Sequence, residues 1–360
     1  EVLRRLEDIT GAAQLRLDID QVNPSQFLGI EINPRAAAIA DLVIWIGYLQ
    51  WHFRRFGDIP PIEPVLREYN NIECRDAVLA YDGIEPDVDA AGKVRTRWGG
   101  RMMKSPVTGE DIPDPTDKVT IYRYLNPRAA VWQEADYIVS NPPFIGNARM
   151  RDRLGDGYTE TLRKVYKDVP DTVDFVMYWW HKAAEAIRSG NVNSFGLITT
   201  NTIRQAWQRK VIQHHLNQKK AIRLLLAIPD HPWVDGGAAV RIALTVAEPY
   251  NCKQVSRMAR LGNLLIEAEG DTPEEKAEQL EVTWKSVTRI FSDLRAGADV
   301  TSAVKLKSNN GLSGRGIYLH GSGFILNSNE MKLWGKNYVG RVIRPYCAGK
   351  DLVDRFRNLF

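Results

Sequence analysis

Through the first 250 residues, short apolar runs alternate with longer apolar stretches of helical period. Phe27-Leu28-Gly29-Ile30-Glu31-Ile32 ends in an acid and reads as a buried parallel strand. Asn33-Pro34 breaks it, and a long apolar helix follows from Arg35 to about Phe53. Pro60, Pro61 and Pro64 punctuate a loop before a weak strand and turn over Asn71 to Ala77. Residues 83–118, rich in Gly, Pro and charge, read as a surface insertion. The strand Asp136 to Ser140 then runs directly into Asn141-Pro142-Pro143-Phe144. A helix with an aromatic stripe is expected from Asp171 to Ser189, with Gly190 just beyond its end. A strand over Ser194 to Thr200, a helix over Ile203 to Leu216 and two strands, Ala221 to Ile228 and Ala238 to Ala247, complete the pattern. Strands alternating with helices predict an α/β fold around a mainly parallel sheet.

The pattern changes near Pro249. Residues 272–297 are charged and read as helical, while 308–346 are rich in Gly, Ser and Asn with short β-like runs. A catalytic body over 1–250, a helical connector over 251–300 and a further region over 301–360 follow from that change. Glu1 to Glu7 reads as mid-helix, and the chain stops at Phe360 without a capping segment. Both ends therefore predict a piece of a longer polypeptide. No charged n-region with an apolar h-region opens it, and no unbroken apolar run approaches the ~20 residues that span a bilayer.

Composition is ordinary for a soluble chain, with 44% hydrophobic and 26% charged residues. Three separated cysteines without a CxxC suit a reducing cytoplasm. Charge is informative by position. Of the 48 basic and 44 acidic side chains, residues 301–360 hold ten and three, leaving 38 and 41 in the first 300. A near-neutral body with a basic C-terminal stretch points to a polyanion partner, or to a solvated positive face.

Asn141-Pro142-Pro143-Phe144 carries the most chemistry. By average residue usage, Asn-Pro-Pro plus an aromatic arises by chance in roughly one chain of this length in a few hundred. As bare structure it is a rigid loop, since Pro fixes its own φ and biases the preceding residue. Its position argues for more than bare structure, because ligands of α/β sheets bind outside the carboxyl ends of strands. The six histidines show no ligand spacing, and Trp179-Trp180 reads as core. The glycines around Arg315 lack the flanking strand and helix of a phosphate loop and read as turns.

This chain resembles the amino-methylating class I DNA methyltransferases, whose adenine-specific members carry Asn-Pro-Pro-Tyr/Phe after the fourth strand. Residues 27–34 are similar to the family's second motif and Cys74-Arg75-Asp76-Ala77 to its third. The resemblance implies a Rossmann-like class I methyltransferase sheet and S-adenosylmethionine as cofactor. Glu31 would meet the cofactor ribose and Asp76 its adenine, with Ile32 an apolar wall and Ala77 a backbone amide. Alone, either acid also reads as an ordinary loop residue. Asn141 and Pro142 would accept the two hydrogens of an adenine amino group, Pro143 would stiffen the loop, and Phe144 would stack on a base flipped from duplex DNA. No metal is required.

Arg341 to Tyr346 with Gly349-Lys350-Asp351-Leu352 resembles the start of target recognition in large fused restriction–modification and phage-defence methyltransferases. That implies a mixed target-recognition domain from about residue 301, and other subunits or domains as partners. The family's first strand and glycine-rich loop have no counterpart before Phe27 and are expected upstream of Glu1. Similar Asn-Pro-Pro-aromatic loops serve glutamine and RNA amino methylation, so those substrates stay open, as does a non-catalytic DNA-binding subunit.

Overall fold

The computed structural model describes residues 23–58, 71–107, 109–235, 238–250, 259–264 and 282–299, with shorter stretches between 303 and 359. Contacts divide the chain into two units, residues 1–301 and 302–360. The expectations for Glu1 to Glu7, for residues 272–281, for Arg315 with Gly314 and Gly316, and for Gly349 to Leu352 lie outside the described residues.

The first unit opens with β1 (Gly29–Glu31), α1 (Pro34–Phe56) and β2 (Ile72–Cys74). β1 and β2 pair in parallel, which requires a crossover, and α1 lies in the connection between them. Asn33 caps α1 by accepting the Arg35 and Ala36 amides at 2.9 and 3.3 Å, and Pro34 takes the first helical position. By length and composition this 23-residue helix could cross a membrane, although Asp41 interrupts its apolar run. Its Ala37 and His52 are buried, while Ile39, Leu42, Val43 and Ile46 are exposed.

β3 (Leu79–Ala80) leads into six short strands: β4 (Gly83–Pro86), β5 (Thr96–Trp98), β6 (Met102–Lys104), β7 (Asp111–Pro113), β8 (Lys118–Thr120) and β9 (Tyr122–Leu125). These pair as nested antiparallel ladders, β4 with β9, β5 with β8 and β6 with β7. The expected insertion is thus a hairpin arm that runs on to Leu125. β10 (Arg128–Ala129) closes it by pairing with β3.

The remaining elements are β11 (Tyr137–Ser140), α2 (Asn147–Leu154), α3 (Asp156–Val165), α4 (Val176–Ser189), β12 (Ser194–Thr200), α5 (Arg209–Leu216), β13 (Ile222–Asp235), β14 (Ala238–Pro249), β15 (Ala259–Leu264) and β16 (Val282–Val287). They build a six-stranded sheet of order β11-β12-β14-β13-β15-β16. β11–β12 and β13–β15 are parallel, while β12–β14, β13–β14 and β15–β16 are antiparallel. The sheet is therefore mixed rather than mainly parallel. The short link between β13 and β14 can join only antiparallel strands.

Three further expectations need correction. The helix expected from Asp171 begins at Val176. That expected from Ile203 divides into a 3-10 turn at Asn201–Arg204 and α5. The described part of 251–300 holds β15 and β16, which extend the sheet, and no helix. Residues 282–287 carry one charge, Lys285, and the strand-favouring Val282, Thr283, Trp284 and Val287, so β propensity prevails there.

α4 supplies the core. Its Val176, Met177, Tyr178, Trp180, Ala183, Ala184 and Ile187 are buried, and they share one cluster with Phe195 and Leu197 of β12 and Ala243 and Ala247 of β14. Burying each large side chain contributes about 1.5–3 kcal/mol. The Trp180 indole N–H donates to Thr245 Oγ1 at 3.2 Å, so its one polar atom is not orphaned. Gly190 ends α4 in the left-handed region at φ 91°, as its position implied.

Between α4 and α5 the buried rings of His181 and His215 share a hydrogen bond of 3.0 Å, Nδ1 to Nε2. Burial first, then the neighbouring His181 and His214, push the His215 pKa down to about 2. The unfolded chain, with His215 near 6.5, takes up a proton first as pH falls. The melting temperature should therefore drop as pH is lowered from 7.5 to 5, and His215→Gln should flatten that drop. An identical pH profile in the variant would remove His215 as its source.

The arm packs on α3. Arg97 pairs with Asp156 at 2.6 Å, and at Gly157 a Cβ would stand 1.7 Å from the Tyr122 carbonyl oxygen. That contact is with backbone, so it cannot be relieved by a rotamer change. Gly157→Ala should cost about 1–3 kcal/mol in urea denaturation. Unchanged stability would contradict this close approach.

In the second unit, α6 (Ser328–Leu333) is capped at Asn327, whose side chain accepts the Asn329 and Glu330 amides at 2.9 and 3.0 Å. Tyr346 and Leu359 form an isolated antiparallel bridge.

Candidate active site

Each parallel strand pair presents chemistry at its carboxyl end. At the first, Glu31 sits beside Cys74 in register, and the Arg75 amide donates to the Glu31 carbonyl at 3.0 Å. The Glu31 side chain accepts the Asn33 amide on Oε1 at 2.8 Å, and Oε2 has no protein partner among the described residues. Ile32, next in the chain, is 63% exposed. A half-used carboxylate beside an open apolar side chain can accept hydroxyls and cover a flat ring.

Asp76 is differently placed. Its Oδ1 accepts the Val78 and Leu79 amides at 2.7 and 2.9 Å, and Oδ2 accepts the Tyr158 hydroxyl at 2.7 Å. Both oxygens are therefore engaged in holding a turn and pinning α3. Burial, then the Asp76 carboxylate, pushes the Tyr158 pKa well above the usual phenol range, so Tyr158 remains a donor. The Ala77 carbonyl accepts the Trp132 indole N–H at 2.6 Å. Lys182 of α4 donates to the Ala130 carbonyl and lies 4.8 Å from the Trp132 ring centroid. Its burial lowers the Lys182 pKa to about 8.

At the second pair, Asn141 follows β11 directly and is exposed, Pro142 is buried, Pro143 exposed and Phe144 half-buried against the core. The Pro143 carbonyl accepts the Ile145 amide at 3.1 Å, and the Ile145 carbonyl accepts the Phe175 amide at 2.9 Å. Segment 131–133, on the amino-terminal side of β11, packs on the first end. Arg75 donates to the Val131 carbonyl at 2.7 Å and Gln133 to Glu73 at 3.0 Å. The predicted residues thus fall into two groups, Glu31 to Ala77 and Asn141 to Phe144.

Sequence reasoning missed the brace behind the Asn-Pro-Pro-Phe loop. Asp174 Oδ1 accepts the Asn147 amide at 2.9 Å, and Oδ2 accepts the Thr202 hydroxyl at 3.0 Å. The Asp174 amide is itself held by Gln208 at 3.0 Å. One carboxylate therefore ties the loop after β11 to the turn after β12. An acid shortly before an apolar helix was its only signal, and that signal fits any helix start.

Comparison with known proteins decides the family. A family model for the DNA-methyltransferase domain of MmeI matches residues 1–248. The chain belongs to that family. A relative, DNA methyltransferase A of Bacillus subtilis (strain 168), is 22% identical over 255 residues, covering 70% of this chain and 24% of the relative. A solved structure of the type IIL restriction–modification enzyme MmeI in complex with DNA aligns at 18% identity and a TM-score of 0.39, over 60% of this chain and 28% of that one. The chain thus spans about a quarter of the length of each of these two proteins.

In this MmeI-family chain, Asp174→Ala would leave the Thr202 hydroxyl and the Asn147 amide without their acceptor. The expected cost is about 1–3 kcal/mol, with faster amide hydrogen exchange confined to the segment around Asn147. Exchange there that matches the unaltered protein would show that the brace is not needed.

Proposed function

We propose that the chain is the catalytic part of an adenine-N6 DNA methyltransferase that uses S-adenosylmethionine, within a restriction–modification or phage-defence system. The observation carrying this reading is the exposed Asn141 on a proline-stiffened loop at the carboxyl end of β11, in a chain of the MmeI methyltransferase family. An adenine amino nitrogen is a poor nucleophile because its lone pair is delocalised into the ring. Asn141 Oδ1 and the Pro142 carbonyl accept its two hydrogens and draw the nitrogen toward a tetrahedral state. Acceptors fixed beforehand cost no reorganisation. Pro142, Pro143 and the Asp174 brace supply that fixity, and Phe144 stacks on a base that has left the duplex.

The cofactor supplies an activated methyl group when bound. Glu31, with one oxygen unused, fits its ribose hydroxyls, and exposed Ile32 fits an apolar ring face. Asp76 fits its adenine less well, because three protein donors already occupy its carboxylate. Its role in this reading is to shape the turn on which the Ala77 backbone sits. In this reading a further strand and a glycine-rich loop complete the class I sheet beside β1 and β11. Among the described residues β1 and β11 each pair on one side only, and Val139 is 87% exposed. The region beyond residue 301, with its basic surplus, begins target recognition.

Transfer of labelled methyl from S-adenosylmethionine to duplex DNA tests this reading, with N6-methyladenine as the expected product. Asn141→Ala should abolish transfer, at least 100-fold, while leaving DNA binding intact. Label on glutamine or RNA instead would move the substrate, and unchanged methylation by the variant would remove Asn141 from the chemistry.

A further inference from the structure

A second polar site lies on the same edge of the sheet. A cleft of about 420 Å³ is lined by Arg204, Asp230, Arg241 and Arg295, with Leu261 and Leu294 among its apolar walls. Three guanidinium groups face one carboxylate. Arg241 Nε donates to Asp230 at 2.6 Å, so both Nη groups remain without a protein partner among the described residues. Arg204 and Arg295 form no ion pair among the described residues, and Arg295 is exposed. Burial is the largest single influence and opposes ionisation of Asp230, yet the Arg241 hydrogen bond and charge, with Asn201 and Arg204, together outweigh it and hold the carboxyl below the usual range. The cleft therefore keeps a surplus of positive charge.

Its backbone is specialised. The β13–β14 register shifts between Ile228 and His231, which leaves Pro229 and Asp230 out of the ladder. Such a bulge re-aims a side chain, and here it brings Asp230 against Arg241. Leu294 is fully buried at φ 58°, a left-handed conformation that an ordinary side chain adopts at a cost. It closes the turn from which Arg295 projects, with the Phe291 amide donating to the Arg295 carbonyl at 2.8 Å.

Position links the cleft to the catalytic loop. Thr200 of β12 registers with Ile242, so Arg241 lies at the carboxyl end of β12, as Asn141 does on neighbouring β11. Two strand spacings across the sheet and about three residues along it, roughly 14 Å in all, separate them. The turn Asn201–Arg204 contacts both sites. Thr202 donates to Asp174 behind the Asn-Pro-Pro-Phe loop, and Asn201 donates to Asp230 at 3.1 Å.

We propose that Arg204, Arg241 and Arg295 grip backbone phosphates of the DNA strand that carries the flipped nucleotide. This rests on the reading of the chain as a DNA methyltransferase. Guanidinium groups suit phosphate oxygens through their paired N–H donors. Phosphate contacts fix register without reading sequence, so the cleft would hold the strand while the base enters the Asn141 loop.

The test is the salt dependence of duplex binding by the full chain, with Arg295→Gln alone and with Arg204→Gln added. Each lost phosphate contact should reduce the slope of log K against log salt by about one. The double variant should bind at least tenfold more weakly at about 0.1 M salt, equally on all sequences, with S-adenosylmethionine binding unchanged. Lysine at both positions should restore most of the slope. If the unaltered protein binds and methylates DNA and the variants keep its slope, the cleft assignment falls alone. If the unaltered protein neither binds nor methylates duplex DNA, the functional reading falls and the cleft with it.

Discussion

The six-stranded sheet and the loops at its edge depend on the packing of α4 on β12 and β14. Trp180, Tyr178 and Met177 are fully buried there, and the indole hydrogen bond to Thr245 sets the depth at which the helix sits. Burial of this kind is strong but non-directional. Direction comes from the start of the helix, where Asp174 holds one loop from β11 and one turn from β12. Without the packed helix the carboxylate would have no fixed position from which to act.

That clasp explains how the Asn141–Phe144 loop can be exposed and still restrained. In the proposed reaction Asn141 has to meet a ligand and to be positioned in advance. Two prolines restrict it from within, and Asp174 restrains the segment just beyond it. The same turn that receives Thr202 leads on to Arg204. Loop, brace and arginine cleft are thus successive contacts along one edge of the sheet.

Asp76 and Glu31 show how similar motifs can differ in what they are free to do. Both follow short parallel strands and both resemble cofactor acids. Glu31 spends one oxygen on its own turn, whereas Asp76 spends both on two amides and a phenol. A motif string records the residue type but not the donors that converge on it from Tyr158, 82 positions away.

The linear pattern alone determined the strand over 194–200, the α4 terminus at Gly190, the core role of Trp180 and the placing of Asn141 after a strand. Each depends on periodicity or turn chemistry within a few residues. The same local reading failed at 282–287, where Val282, Thr283 and Trp284 form an edge strand beside a charged stretch, and at 203–208, where a turn braced by Thr202 replaces helix. The mixed pairing of the sheet, the Asp174 brace, the occupied Asp76 and the arginine cleft were decided only by tertiary structure. They join residues up to 82 positions apart, and no local propensity encodes which distant donors and acceptors will meet.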